Sequence, residues 1–176
     1  MIYLDYNATT PMRIAVKRCV IDALDALGNP SSIHSSGRSA RAMVEKARGE
    51  IAGAFGVTHE NIIFTSGATE ANTLALAGTK RRRVLVSGVE HLSVLEVLGN
   101  VEKIAVDQTG LVSPECLDTL LRYDANSVLV SIMLANNETG VIQPIAELAR
   151  IAHEHGALFH CDAVQAPGRI PLNMSE

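Results

Sequence analysis

The feature that most constrains the fold of this chain is an alternation, from residue 62 onwards, of short apolar runs with amphipathic segments. The runs are continuous in Val, Ile and Leu, which is typical of strands buried on both faces of a parallel sheet. Strands that alternate with helices favour such a sheet, with helices packed against it. The sequence therefore predicts an α/β fold with a mostly parallel sheet and helices on both faces. The predicted strands are 62–65, 84–87, 103–106, 128–134 and 158–161, and the predicted helices are 68–77, 92–98, 114–121 and 144–153.

Two more helices are predicted before this alternation begins. Residues 12–27 carry apolar side chains at mostly helical spacing, and Gly28-Asn29-Pro30 ends that helix. A polar loop over residues 31–37 leads into a longer helix at 38–55.

Composition excludes several classes of protein. The 176 residues are 47% hydrophobic and 19% charged, which suits one globular domain with a substantial core. A formal net charge of −4 offers no basic excess, so we expect neither nucleic acid nor membrane as a partner. No apolar run is long enough for a membrane span, and no signal-peptide pattern opens the chain. The three cysteines lie far apart and predict no disulfide framework, so we expect a cytoplasmic location.

Polar residues follow four of the predicted strands. In a parallel sheet, ligands bind at the carboxyl ends of the strands, so these residues are the candidates for one shared cleft. The segments are 65–72, 90–91, 136–140 and 162–165.

The first of these segments predicts either an anion site or a plain helix cap. Ser66-Gly67-Ala68-Thr69 opens a helix directly after a strand, where small residues, backbone amides and the helix dipole favour a phosphate. Ser66 and Glu70 miss the spacing of a capping box by one residue. The segment does not match the P-loop pattern, which disfavours a nucleoside triphosphate.

The other strand ends each allow two interpretations. His91 is either a cap residue or a flat ring that stacks on a ligand. Asp162 closes an apolar strand, where it either caps a helix or pairs with a protonated ring nitrogen and strengthens that ring as an electron sink. Gln165 lies three residues further on, within reach of the same ligand. Asn137 either forms a turn or binds a phenolate or carboxylate through its amide.

These segments together resemble the cysteine desulfurases, enzymes of the class V aminotransferase group with the fold-type-I architecture that depend on pyridoxal 5′-phosphate (PLP). The resemblance runs along the whole chain in order, and the forms of the first two motifs resemble the iron–sulfur-cluster and nitrogenase-type branch. The matching motifs are Leu4-Asp5-Tyr6-Asn7-Ala8-Thr9-Thr10-Pro11, Gly28-Asn29-Pro30-Ser31-Ser32 with His34, Thr65-Ser66-Gly67-Ala68-Thr69-Glu70, Glu90-His91, Asn136-Asn137-Glu138-Thr139-Gly140, and Asp162-Ala163 with Gln165.

The resemblance implies a role for each candidate residue. Thr69 and its loop would hold the cofactor phosphate, and His91 would stack on the pyridine ring and move protons as the catalytic residue. Asp162 would pair with the ring nitrogen, Gln165 would bond the ring oxygen, and Asn137 would approach that oxygen or the substrate carboxylate. The implied cofactor-binding set is Ala68, Thr69, His91, Asn137, Asp162 and Gln165.

The resemblance also implies a domain organisation, a reaction and partners. It predicts an N-terminal arm or small-domain segment over residues 1–14 and an incomplete PLP-binding large domain over residues 15–176. The implied reaction converts L-cysteine to L-alanine and leaves the sulfur as an enzyme-bound persulfide for iron–sulfur cluster assembly. The implied partners are a second copy of the chain or a complementary C-terminal chain, and a scaffold protein that accepts the sulfur. No metal site is expected, because His153 and His155 are spaced across a helix.

The departures from the family pattern concern covalent chemistry. The Schiff-base lysine of the family follows the Asp-x-x-Gln strand by one further strand, whereas all four lysines of this sequence precede Asp162. The persulfide cysteine and the substrate-binding arginine of the family also belong to its second half. Cys161 is interpreted as a packing residue. We therefore expect PLP to bind at most non-covalently. As the N-terminal half of a desulfurase, the chain is expected to be inactive alone. The alternative function is that of a non-catalytic, PLP-binding or structural fragment that pairs with another chain.

Topology adds an expectation about association. In the family, the strand that corresponds to residues 62–65 borders a strand that comes after the lysine. Unpaired strand edges are costly when buried and recruit partners when exposed. We therefore expect the 176 residues to need a complementary polypeptide, a swapped copy or a rearranged sheet.

Overall fold

The structure, a computed structural model, describes residues 2–172 and 174. It separates into two compact units: the first comprises the N-terminal part of the chain up to Ile63, and the second spans Phe64–Leu172. The sequence-based division into an arm over residues 1–14 and a domain over residues 15–176 stays a prediction. Among the described residues, no helix has both the length and the apolar character needed to cross a bilayer.

Within its described residues, the first unit contains two helices. The helices are α1 (Ile14–Leu24) and α2 (Ser35–Phe55), and a single 3-10 turn follows at His59–Asn61. The side chain of His34 caps α2 by accepting a hydrogen bond from the amide of Gly37 at 3.2 Å. Gly56 ends α2 in the left-handed conformation, with φ of 66°, which glycine adopts without strain. Both predicted helices are therefore present, with shifted ends.

The second unit alternates strands and helices. Its elements are α3 (Ala68–Gly78), β1 (Arg83–Ser87), α4 (Leu92–Leu95), β2 (Glu102–Ile104), α5 (Pro114–Leu121), β3 (Val128–Ser131), α6 (Ile145–Glu154) and β4 (Leu158–His160). All neighbouring strands pair in parallel, in the order β2-β1-β3-β4. This confirms the predicted α/β class with a parallel sheet.

Each face of the sheet is covered by helices. Since successive strand residues point to opposite faces, Val84 and Val86 of β1 pack with Leu76 of α3 and Val94 of α4 in one cluster. Leu85 lies in the other cluster, which includes the buried side chains of α5 and α6. Continuous apolar strands are thus explained by burial on both sides.

The predicted strand over residues 62–65 is wrong. These residues are not assigned to a strand, and the side chain of Ile63 is 77% exposed. A strand is stabilised by backbone hydrogen bonds to a neighbour, and the four strands of the described sheet pair only with one another. An apolar sequence alone therefore does not make this segment a strand.

Candidate functional site

The strand order of the second unit creates a crevice at the carboxyl edge of the sheet. In the sheet, β2 lies on one side of β1, whereas β3 and β4 lie on the other side. The direction in which successive strands are added therefore reverses between β1 and β3. Crevices at such reversals are the usual ligand sites of open α/β sheets. Glu90 and His91 follow β1, Asn136 follows β3, and Asp162 follows β4.

Asp162 is fixed at this edge by its backbone and by its carboxylate. The amide of Leu134 donates to the backbone oxygen of Asp162 at 2.9 Å, which extends the pairing of β3 and β4 beyond the strands. The side chain is only 7% exposed. Its Oδ1 accepts from the amide of Val164 at 3.0 Å and its Oδ2 from Asn72 Nδ2 at 2.8 Å. Residues 163–170 form turns rather than a helix, so the helix-cap interpretation of Asp162 is wrong.

Asn72 links α3 to this carboxylate, although no motif in the sequence singles it out. The residue is 3% exposed. Its Nδ2 also donates to Ser93 Oγ at 3.0 Å, so one amide group joins residues that lie 21 and 90 positions away. The sequence feature that points to Asn72 is its position three residues after Thr69, which places the two side chains on neighbouring parts of the helix surface.

His91 caps α4 and faces solvent. Its Nδ1 accepts from the amide of Ser93 at 3.1 Å and lies 2.8 Å from Ser93 Oγ. The cap interpretation is therefore confirmed for Nδ1, while the exposed ring leaves room for a ligand. His91 and Thr69 line the same open pocket of about 410 Å³, together with Ser93 and Glu96. The structure thus brings together the ends of α3 and α4 that the sequence analysis selected.

The N-terminus of α3, which begins at Ala68, has the features of an anion site. Gly67 is the N-cap residue and supplies no side-chain hydrogen bond to the first turn. Glu70 reaches backwards, and its Oε2 accepts from the amide and the hydroxyl of Ser66 at 2.6 and 2.7 Å. These bonds, the backbone bond first, lower the pKa of Glu70. The amides of the first turn and the helix dipole therefore favour a negatively charged group beside Thr69.

Glu90 is a second buried carboxyl group at the crevice. Its Oε1 accepts from Ser87 Oγ and from the amide of Met133, both at 2.6 Å, whereas Oε2 is buried without a hydrogen-bond partner. Burial raises the pKa of Glu90 to about 7; the two hydrogen bonds oppose the rise and the charge of Asp162 adds to it. The sequence places Glu90 next to His91 but does not reveal its role, since burial of the side chain depends on the tertiary structure.

The residues beside Asp162 are not poised for nucleophilic chemistry. Burial, with the charges of Glu90 and Asp162, raises the pKa of the Cys161 thiol to about 12, and a thiol is nucleophilic only as the thiolate. Burial also lowers the pKa of His160, whose Nδ1 lies 2.9 Å from Ser131 Oγ. This supports the interpretation of Cys161 as a packing residue.

Two candidates lie in turns near the strand ends. Asn137 is half-buried, in a turn organised by its neighbour Asn136, whose Oδ1 accepts from the amides of Glu138 and Thr139, both at 2.8 Å. The guanidinium of Arg169 donates to the side-chain oxygen of Gln165. These contacts describe the turns; the ligand roles of Asn137 and Gln165 stay predictions.

The donor set fits PLP, which carries a phosphate and a pyridine ring. An uncapped helix N-terminus with the Thr69 hydroxyl suits the phosphate, the exposed imidazole of His91 suits an aromatic face, and the buried carboxylate of Asp162 suits a protonated ring nitrogen. The same network of hydrogen bonds connects the last two groups through Ser93 and Asn72.

Comparisons with known proteins agree on one family. The family model described as aminotransferase class-V matches residues 2–176. The chain is 46% identical to the cysteine desulfurase IscS of Dictyoglomus turgidum, over 99% of this chain and 48% of that protein. It is 42% identical to the putative cysteine desulfurase IscS 1 of Bacillus subtilis, over 98% of this chain and 49% of that protein.

Solved structures show the same relationship. The crystal structure of a NifS-like protein from Rickettsia africae superposes with a TM-score of 0.92 and 43% identity, over 99% of this chain and 51% of that chain. The chain therefore spans about half the length of the relatives it matches.

Proposed function

The chain belongs to the aminotransferase class V family, whose cysteine desulfurases depend on PLP, and from this premise we propose that it is the N-terminal half of a PLP-dependent cysteine desulfurase. The proposed substrate is L-cysteine, and the proposed products are L-alanine and a persulfide that supplies sulfur for iron–sulfur cluster assembly. Relatives that carry the name cysteine desulfurase support this assignment.

One structural observation supports the proposal most directly. A continuous path of hydrogen bonds runs from the buried carboxylate of Asp162 through Asn72 and Ser93 to the exposed ring of His91. His91 in turn shares its pocket with Thr69 at the start of α3. Groups that follow β1 and β4 are thereby connected to the N-terminus of α3, as a ligand with a ring and a phosphate requires.

In the proposed site, each residue acts on a different part of the cofactor. The amides that follow Gly67 and the Thr69 hydroxyl bind the phosphate, and His91 orients the ring by packing against it. Asp162, whose two oxygens accept from Asn72 and Val164, holds a proton on the ring nitrogen. When bound, PLP supplies an electron sink for negative charge that develops on an amino-acid substrate.

The 176 residues by themselves supply the cradle and not the covalent attachment. The four lysines, Lys17, Lys46, Lys80 and Lys103, all precede Asp162. Lys103 lies within β2, and none of the four lines the pocket of Thr69 and His91. We therefore propose that the lysine, the persulfide cysteine and the substrate-binding arginine come from other residues, and that the 176-residue chain binds PLP non-covalently and is inactive alone.

The proposal includes a partner and a location. A second copy of the chain or a complementary C-terminal chain is the proposed partner, which the exposed side chains of Ile63 and Phe64 support. A sulfur-accepting scaffold protein would take the persulfide sulfur. A cytoplasmic location is proposed as well, and it agrees with Cys19, Cys116 and Cys161 being free thiols.

The proposal is tested by titrating the 176-residue chain with PLP and following cofactor absorbance and fluorescence, before and after borohydride treatment. We expect saturable binding that dialysis reverses and that borohydride does not make covalent. Asp162→Asn removes the charge that pairs with the ring nitrogen and is expected to weaken PLP binding at least tenfold. The matched surface variant Asp118→Asn is expected to bind PLP with the affinity of the parent. Addition of a C-terminal half that carries the lysine and cysteine is expected to restore alanine production from L-cysteine.

The outcomes separate this function from its alternative. Binding of PLP without alanine production after complementation favours a non-catalytic PLP-binding fragment. Equal PLP affinity of the parent and Asp162→Asn contradicts the proposed site. A covalent adduct after borohydride contradicts the non-covalent mode.

A further inference from the structure

We infer that Asn72 is a positioning residue that turns the Ser93 hydroxyl towards Nδ1 of His91, which reinforces one tautomer of that ring, and that holds the hydrogen-bonded carboxylate of Asp162. The inference comes from one amide group that contacts two different functional elements: Ser93, next to the exposed ring, and Asp162, at the end of β4. Its consequence for cofactor binding rests on the proposed function, whereas the tautomer of His91 does not.

The donors and acceptors at Asn72 leave one consistent arrangement. An Asn side chain has two N–H donors on Nδ2, and they serve Ser93 Oγ at 3.0 Å and Asp162 Oδ2 at 2.8 Å. Only 3% of the residue is exposed. Either N–H donor, if left unpaired, would therefore cost the free energy of burying a polar group without a partner. Asn72 is therefore held in one orientation by both contacts.

The direction of these bonds determines which nitrogen of His91 carries the proton. Because Ser93 Oγ accepts from Asn72, its hydroxyl proton is free to point at His91 Nδ1, which lies 2.8 Å away. The backbone amide of Ser93 also donates to the same Nδ1 at 3.1 Å. Two donors that converge on Nδ1 require it to be unprotonated, so the neutral ring carries its proton on Nε2.

The same amide also donates a hydrogen bond to Asp162. Its second N–H satisfies Oδ2, while the amide of Val164 satisfies Oδ1 at 3.0 Å. Donors to both oxygens satisfy the acceptors of this buried carboxyl group and hold it in one position. The identity of the side chain matters, because an aspartate at position 72 would place a second carboxylate against that of Asp162, and an alanine would present no donor.

The test uses the 176-residue chain with ¹⁵N-labelled histidine and records the ring-nitrogen signals of His91 by NMR, without PLP. The parent is expected to show an unprotonated Nδ1 and a protonated Nε2 at a pH where the ring is neutral. Asn72→Ala frees the Ser93 hydroxyl to turn away, so the two signals are expected to move towards each other. Ser93→Ala, which leaves Asn72 in place, is expected to cause the same shift, and Ser93→Thr, which keeps the hydroxyl, is expected to restore the parent pattern.

A matched control separates positioning from general loosening of the fold. Gln143 is another buried amide: its Nε2 donates to Gly110 O at 2.6 Å and its Oε1 accepts from the amide of Val112 at 2.9 Å, away from His91. Gln143→Ala is expected to lower stability and leave the His91 signals unchanged. A shift of those signals in Gln143→Ala, or parent signals in Asn72→Ala, overturns the inference.

A second measurement addresses Asp162 and remains distinct from the proposed function. The PLP affinity of the parent is measured first. In Asn72→Ala, the hydrogen bond from Asn72 to the carboxylate of Asp162 is lost, and PLP affinity is expected to fall about tenfold. Altered His91 signals with unaltered PLP affinity overturn the part of the inference that concerns Asp162. If the parent itself binds no PLP, the proposed function fails, and the NMR result on His91 still decides the positioning role of Asn72.

Discussion

The side chain of Glu90 accepts a 2.6 Å hydrogen bond from the backbone amide of Met133 and so joins the segment after β1 to the segment after β3. Its other oxygen is buried without a partner, and Asp162 lies close enough to raise its pKa further. The contact bridges the two strands between which the strand order reverses. The edge of the sheet that carries His91 and Asp162 therefore also carries a buried carboxyl group that is neutral at mildly acidic pH.

The first prediction is that this carboxyl group makes stability depend on pH. Its pKa is about 7 in the folded chain and near 4.5 when unfolded, so the folded state binds the extra proton between these values. The stabilisation by the buried neutral form is complete below pH 4.5, declines as pH rises, and is lost above pH 7, a change of about 3 kcal/mol. The free energy of unfolding in urea, measured across this interval, is expected to fall by that contribution.

Glu90→Gln tests this assignment, because glutamine retains an oxygen for Ser87 and Met133 and does not titrate. The difference in unfolding free energy between the parent and this variant is expected to change by about 3 kcal/mol between pH 4.5 and 7. Glu147→Gln, on the exposed surface of α6, serves as the control and should follow the parent. A constant difference between the parent and Glu90→Gln at all pH values contradicts the assignment.

The second prediction concerns the core that supports the site. Leu148 of α6 is fully buried in the cluster that covers one face of the sheet, together with Leu117 and Val130. Leu148→Ala removes apolar contacts and leaves a cavity, so we expect the free energy of unfolding to fall by about 3 kcal/mol. Leu74→Ala, at a position more than half exposed on α3, should cost less than about 1 kcal/mol. Equal losses for the two variants in urea unfolding contradict the described packing.

The third prediction concerns thiol reactivity. The pKa of Cys161 is raised to about 12 by burial and by neighbouring charges, whereas Cys19 lies exposed on α1. Because only the thiolate reacts, we expect a maleimide at pH 7.5 to label Cys19 at least about a hundredfold faster than Cys161. Peptide mass spectrometry measures the two rates in the parent, and a denatured sample should label both. Comparable rates in the folded chain exclude the described burial of Cys161.

The sequence predicted the elements whose stability depends on local pattern and on burial. The continuous apolar runs correctly placed β1 to β4, and helical spacing placed α5 without error. Residues 62–65 have an equally apolar pattern and form no strand, because strand formation depends on a neighbour that the pattern does not specify. A sequence pattern therefore predicts which segments can pair but not whether a partner is available.

The candidate site, like the fold, was predictable from the sequence only where its residues belong to a local pattern. His91 and Asp162 stand out in the sequence because they follow apolar runs that form strands, and parallel topology brings the ends of strands together. Thr69 stands out through the small residues that open α3, although the apolar run before it forms no strand. Asn72 did not stand out, since its partners Ser93 and Asp162 are 21 and 90 residues away and its burial depends on how α3 packs. Residues that connect functional groups are harder to predict than the groups themselves, because connection is a tertiary property.

The last prediction concerns Asn136, which determines the conformation of the turn that carries Asn137. Its Oδ1 accepts from the amides of Glu138 and Thr139, and its Nδ2 donates to the backbone oxygen of Val89 at 2.9 Å, next to Glu90. Asn136→Ala removes all three of these partly buried hydrogen bonds, so we expect a loss of about 2 kcal/mol in unfolding free energy.

The same variant is expected to open the turn locally. Amide hydrogen exchange over residues 136–141 should be faster in Asn136→Ala than in the parent, since the side chain no longer holds the amides of this turn. Asn100→Ala, in an exposed loop outside the crevice, should leave exchange in the turn unchanged. Parent-like exchange in Asn136→Ala would show that backbone bonds such as Gly140 N to Asn136 O hold the turn without the side chain, and that the position of Asn137 does not depend on its neighbour.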